Sequence, residues 1–179
     1  MKPWPYPNYI AHRGAGLQAP ENTLAAFKVG AGYGYRMFEC DVKLSVDDVP
    51  YLLHDDTLDR TTNAKGKAFT YDFTKDGLIA ADQTWLALSK LDAGSWFENK
   101  VEDDGECKIT KPFTGEPLPT LQTIASWCID MDVDINIEIK PCPGADAHTG
   151  DVVARYAQRL WLDSVKKPLL TSFSPGMVQ

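Results

Sequence analysis

The chain has 179 residues, 44% hydrophobic and 24% charged, which is enough for one globular domain with its own core. Its 18 basic and 25 acidic residues leave a net charge of −7, which excludes a nucleic-acid partner gripped by a clustered basic surface. The N-terminal Met1-Lys2-Pro3-Trp4 run lacks the apolar stretch of a secretory signal, and no segment approaches a membrane span, so a cytoplasmic protein without a membrane anchor is expected.

Taken in order, Tyr9 to His12 reads as a short strand ending in His12-Arg13-Gly14. Gly14, Gly16 and Pro20 make a turn, after which Asn22 or Thr23 can cap a helix with Leu24, Phe27 and Ala31 on its apolar face. Met37-Phe38-Glu39-Cys40-Asp41 is a strand, and a second extended run, Pro50-Tyr51-Leu52-Leu53, ends at His54-Asp55-Asp56. From Thr57 to Pro119 the periodicity is poor over a length too great for a plain loop, so a small inserted subdomain is expected at 57–119. Its acidic part, 98–106, reads as a solvated loop, with 98–111 as the most mobile portion of the insertion. Arg60 and Asp92 are placed to pair within it, and Trp96 either lines a pocket mouth or packs. Thr120 can cap a helix with Leu121, Ile124, Ala125 and Cys128 at i, i+3, i+4, i+7. A strand at 135–140 follows, broken by Pro141, Pro143 and Gly144. Then come a helix from about Thr149 and a last strand over 169–173. The alternation of strands and helices predicts an α/β fold with a parallel sheet.

Two of these strands carry charge where a buried strand should be apolar. Residues two apart share a face, so Glu39 and Asp41 point one way, as do Glu138 and Lys140. The opposite faces, Phe38/Cys40/Val42 and Ile135/Ile137/Ile139, are fit to pack against helices. Buried carboxylates are costly unless they are paired or bound to a metal. His12, Glu39, Asp41, His54 and Glu138 all fall at or just after the C-terminal ends of strands, the edge where parallel α/β proteins build their sites.

Oxygen-only ligands suit a hard divalent cation, Mg²⁺ or Ca²⁺. Such a cation beside Arg13 and Lys140 points to an anionic small-molecule substrate, most naturally a phosphate ester. Two histidines can divide the proton work, one deprotonating a nucleophile and the other protonating a leaving alkoxide. Cys40, Cys107, Cys128 and Cys142 are too dispersed for a zinc or redox pattern; Cys40 and Cys128 lie on apolar faces and read as buried free thiols.

His12-Arg13-Gly14, Pro20-Glu21-Asn22-Thr23, Glu39-x-Asp41, His54-Asp55-x-x-Leu58-x-Arg60-Thr61-Thr62, Pro119-Thr120-Leu121 and Asn136-Ile137-Glu138-Ile139-Lys140 resemble, in order, the motifs of glycerophosphodiester phosphodiesterases. The likeness runs from about residue 8 to residue 179 and is similar to the bacterial cytosolic members. It implies a TIM (β/α)₈ barrel with a small insertion after the second barrel strand. The activity it implies is hydrolysis of glycerophosphodiesters to sn-glycerol 3-phosphate and an alcohol. On this chain, Glu39, Asp41 and Glu138 would hold the metal, His12 and His54 would be the acid–base pair, and Arg13 and Lys140 would contact phosphate, with Lys140 assigned to phosphate and not to an ion pair. Asn22 and Thr23 are expected to fix the first helix, and His148 to lie on the surface.

A complete (β/α)₈ barrel takes about 250 residues, so the resemblance implies a barrel truncated to about its N-terminal half. Three readings follow from that length: a fragment of a working enzyme, a homodimer in which two copies complete each other, or a silent remnant that binds a phosphate ligand or a partner. A lysophospholipase D-like phosphodiesterase is the rival enzyme.

Overall fold

The computed structural model describes residues 4–65, 78–103, 106–142 and 144–177. The elements are α1 (Leu24–Gly32), β1 (Met37–Leu44), β2 (Pro50–Leu52), α2 (Trp85–Leu88), β3 (Asn99–Asp103), β4 (Glu106–Thr110), α3 (Leu121–Asp130), β5 (Asp134–Ile139), α4 (Asp146–Leu160) and β6 (Leu169–Thr171). The main sheet runs β2-β1-β5-β6. β1, β5 and β6 are parallel, with Asp41 opposite Glu138 and Glu138 opposite Thr171. The α/β architecture is as expected, and no described helix is long and apolar enough to cross a membrane.

β2 departs from the all-parallel expectation, since it returns antiparallel along β1 with Val42 opposite Leu52. A parallel crossover needs about a dozen residues or more, and residues 45–49 are too few. They form a tight turn instead, in which Ser45 N donates to Val49 O at 3.1 Å, Val49 N donates to Ser45 Oγ at 2.9 Å, and Asp48 takes φ 60°. The expected first strand is reduced to a single parallel bridge. Ala11 N donates to Met37 O and Glu39 N to Ala11 O, at 2.9 and 3.0 Å.

The apolar strand faces pack as the alternation requires. Phe38, Cys40, Val42, Ile135, Ile137 and Ile139 join Phe27, Leu121, Ile124, Cys128, Val153 and Trp161 in one buried core. Phe27 stacks on Phe38 at 5.1 Å, and Trp127 meets both rings edge-on. Cys40, Cys128 and Cys142 are buried free thiols.

Thr23 begins α1 by accepting from Ala26 N at 3.2 Å, while its own hydroxyl donates to Pro20 O at 2.7 Å. We expect Thr23→Ala to destabilise the fold by about 1 kcal/mol, read as a lower urea midpoint at unchanged slope. Thr120 caps α3 in the same manner. α4 starts at Asp146, ahead of the expected Thr149, and no side chain caps it, so the usual polar signal is missing there.

Within 57–119 a second apolar cluster forms around Leu58, Leu78, Leu88, Leu91 and Leu118, with Tyr51 and Leu53 from the main sheet side. The acidic stretch expected as a loop is a β3–β4 hairpin instead, with Lys100 opposite Ile109; residues 104–105 lie outside the described residues. Its charged composition masks the alternation, while local antiparallel pairing satisfies the backbone. The expected Arg60–Asp92 pair does not form. Asp92 accepts from the N–H groups of Gly94, Ser95 and Gly115, and Arg60 turns to other carboxylates. Trp96 packs edge-on against Phe97 and donates to Ala93 O at 2.7 Å.

Candidate active site

The site forms where β1 and β5 run side by side. Register sets Asp41 directly across from Glu138, and the two-residue period puts Glu39 on the same face as Asp41. Oxygens of Glu39, Asp41 and Glu138 lie within 4.8 Å of one another.

Each carboxylate has a different environment. Asp41 is held on both sides. Asn22 Nδ2 donates to Asp41 Oδ2 at 2.8 Å and Asn22 Oδ1 accepts from Asp41 N at 3.0 Å, while Lys140 Nζ lies 3.0 Å from Oδ1. Glu39 Oε2 accepts from Arg13 N at 2.8 Å, but its Oε1 is buried with no hydrogen-bond partner among the described residues. Burial pushes Glu39 up to about 7, and the charges of Asp41 and Glu138 add to that, against the Arg13 bond. Glu138 Oε1 accepts from Lys140 Nζ.

Lys140 is therefore an ion-pair partner, contrary to the expectation that it is kept for phosphate alone. It follows Glu138 by two residues on the same strand face, so its ammonium reaches the carboxylates directly. Burial would lower it, but the bond to Glu138 and the charge of Asp41 outweigh that and raise it.

His12 and Arg13 arrive on the segment after Ala11. Gly14 and Gly30 make this possible: a Cβ on Gly30 would sit 2.1 Å from Gly14 O, so the segment lies against α1 only because both are glycine. The His12 side chain is 66% exposed, with Nε2 3.9 Å from Glu39 Oε2. An open cleft of about 920 Å³ borders its outer side, lined by Tyr9, Ile10, Tyr33 and Tyr35 but by none of the carboxylates. Arg13 Nη1 donates to Glu21 Oε1 at 2.8 Å, and Nε lies 3.2 Å from Asp41 Oδ2 without hydrogen-bond alignment.

His54 comes to the site by another route. Because β2 is antiparallel, its C-terminal end descends along β1, and Leu53 N donates to Asp41 O at 3.1 Å. His54 follows immediately, with Nδ1 2.7 Å from Asp55 Oδ1. It thus reaches the level of Asp41 from the opposite strand direction, and Glu39 and Asp41 themselves lie inside β1, not at its C-terminal end as the strand pattern suggests.

Sequence reasoning misses several neighbours. Asn22, expected to serve the helix, grips Asp41 with both ends of its amide, from a backbone at φ 57°. Glu21 and Asp55 pair with Arg13 and His54. Lys43 shares the Glu39–Asp41 face at 2% exposure, donating to Asp56 Oδ1 at 2.6 Å and Pro141 O at 3.2 Å. It thereby ties the turn after His54 to the turn after Lys140. The two-residue period extended from Asp41 was the available signal. His148 lies on the surface, 2.7 Å from Asp48.

The oxygen-only donor set and the unpartnered buried Glu39 oxygen fit a hard divalent cation. Comparison with known proteins identifies the family. A sequence model of the glycerophosphoryl diester phosphodiesterase family matches residues 12–178. A glycerophosphodiester phosphodiesterase of Caldanaerobacter subterraneus is 40% identical over 73% of this chain and 44% of its own length. Human glycerophosphoinositol inositolphosphodiesterase is 30% identical over 98% of this chain and 34% of its own. Among solved structures, an Oleispira antarctica phosphodiesterase in complex with the product sn-glycerol-3-phosphate superposes with TM-score 0.75 at 30% identity, covering 96% of this chain and 60% of that one. An Agrobacterium tumefaciens glycerophosphodiester phosphodiesterase gives 0.69 at 32% identity, covering 94% and 58%. The chain thus spans 34% and 44% of those two sequence relatives and about three fifths of these structures.

Proposed function

The chain belongs to the glycerophosphoryl diester phosphodiesterase family, and from that membership we propose that it carries the site for metal-dependent hydrolysis of a glycerophosphodiester to sn-glycerol 3-phosphate and an alcohol. The observation that carries the proposal is the trio Glu39, Asp41 and Glu138, with oxygens within 4.8 Å, on adjacent parallel strands. In this reading the trio holds one Mg²⁺ or Ca²⁺. The bound cation supplies charge neutralisation for phosphate oxygens as the transition state develops.

The remaining chemistry belongs to the chain's own side chains. Asp55, ionised, accepts from His54 Nδ1–H, which leaves Nε2 free to take a proton, so His54 is the base. The attacking oxygen, from water or from the substrate's own adjacent hydroxyl, bonds to phosphorus as it gives its proton to His54. The bond from phosphorus to the leaving oxygen breaks, and His12 donates a proton to the departing alkoxide. Arg13 and Lys140 face the phosphate from the two sides of the trio, drawing on the positive charge that now balances the carboxylates. The sheet is part of a (β/α)₈ barrel in this reading, with 57–119 inserted after the second barrel strand.

The test is release of choline from glycerophosphocholine and, in parallel, from lysophosphatidylcholine, with and without added divalent cation, glycerol 3-phosphate being identified as the second product of the former. Cation-dependent release from glycerophosphocholine is expected. Turnover that persists in excess chelator would sink the metal assignment, and preference for the lysolipid would sink the substrate.

A further inference from the structure

Arg60 stands outside the carboxylate trio, with its side chain 44% exposed, yet its guanidinium spans two carboxylates from distant parts of the chain. On one side Nε and Nη2 donate to Asp55 Oδ2 and Oδ1 at 2.6 and 2.9 Å. On the other, Nη1 and Nη2 donate to Glu21 Oε2 and Oε1, both at 2.8 Å. The oxygens involved have second duties. Asp55 Oδ1 is the atom beside His54 Nδ1, and Glu21 Oε1 is the atom that receives Arg13 Nη1. A chain of hydrogen bonds and ion pairs thus runs from His54 through Asp55, Arg60, Glu21 and Arg13 to Asp41, with no step longer than 3.2 Å.

An exposed ion pair contributes little when it is single and free to rotate. A fork bonded twice to each of two carboxylates is different, because neither carboxylate can turn without breaking a bond. The charge states agree. The bonds from Arg60 hold Asp55 well below the usual carboxylate range. Burial alone would raise Glu21, but Arg60 and Arg13 together hold it low.

We propose that Arg60 is a positioning residue for the reaction, its two-sided fork setting the imidazole of His54 and the guanidinium of Arg13 together. The inference rests on the phosphodiesterase reading of the site. It assigns Arg60 no contact with substrate. Lysine cannot replace it, since one ammonium does not present parallel pairs of donors to two carboxylates.

The test uses the whole chain carrying Arg60→Gln or Arg60→Lys, the latter keeping the charge should the glutamine variant fold poorly. The first readout is the low-field Nδ1 proton resonance of His54, assigned by its loss in His54→Asn. It is expected to shift or broaden away in both Arg60 variants. The second is turnover of glycerophosphocholine, expected to fall on the order of 10²-fold in both. Asp55→Asn added to Arg60→Gln should then cost less than about threefold more, because the two act as one unit. An unchanged resonance in Arg60→Gln, or a lysine variant that matches the wild type in either readout, overturns the proposal. If the wild type itself shows no turnover, the phosphodiesterase reading falls, and the resonance alone decides the coupling.

Discussion

Glu138→Gln is expected to lower cation-dependent turnover of glycerophosphocholine on the order of 10³-fold while leaving the fold intact. The choice of residue follows from the contacts. Asp41 is bound by Asn22 and Lys140 and lies beside Arg13, so its removal would leave several buried polar groups unpaired and confuse chemistry with stability. Glu138 pairs with Lys140 alone among the described side chains, and Lys140 keeps Asp41 when Glu138 is neutralised. The amide preserves volume and removes the negative charge. Thermal unfolding with chelator present checks the fold, and a titration of the divalent cation checks affinity. Wild-type turnover in this variant would remove Glu138 from the metal site.

A second expected result concerns the protein freed of cations. Glu39 lies near 7 in the fold, against 4.5 for an unperturbed glutamate, so the folded chain binds this proton more tightly than the unfolded chain. Its contribution to stability is full below about pH 4.5, is lost as pH rises through 7, and levels off above. The loss is roughly 3 kcal/mol, or about 6–12 °C in Tm for a chain of this size. Glu21 and Asp55, both held low, act in the opposite sense and lose their contribution only as pH falls below the ordinary carboxylate range. Between pH 5 and 8 these two carboxylates stay ionised, and the part of the profile that Glu39→Gln removes belongs to Glu39. Glu39→Gln should flatten the slope, and added divalent cation should raise Tm more at pH 8 than at pH 5. A level profile in the chelated wild type would refute the burial argument.

Much of this site was legible because strand periodicity is local. Glu39 with Asp41 and Glu138 with Lys140 can be assigned to faces from spacing alone, and the apolar opposite faces pack as that spacing requires. Spacing says nothing of strand direction, so the return of β2 and the route of His54 were not readable from Pro50-Tyr51-Leu52. Nor does it reveal pairing across long separations. Arg60 meets Glu21 from 39 positions away, and a reading confined to the insertion gave it to Asp92, which instead serves backbone N–H groups. Asn22 looked like a helix-start residue, as its neighbour Thr23 is; only the folded turn shows its amide gripping Asp41.

The hairpin return of β2 makes chain length itself part of the proposed catalytic apparatus. The depth at which His54 hangs is measured by the count of residues between Leu44 and Pro50 and by the pairing of Val42 with Leu52. One residue gained or lost there would slip the pairing and send alternate side chains to the opposite face. The turn at 45–49 acts as a ruler for the site. In the proposed reaction, drift in its length would misplace His54 while every side chain of the site was still present.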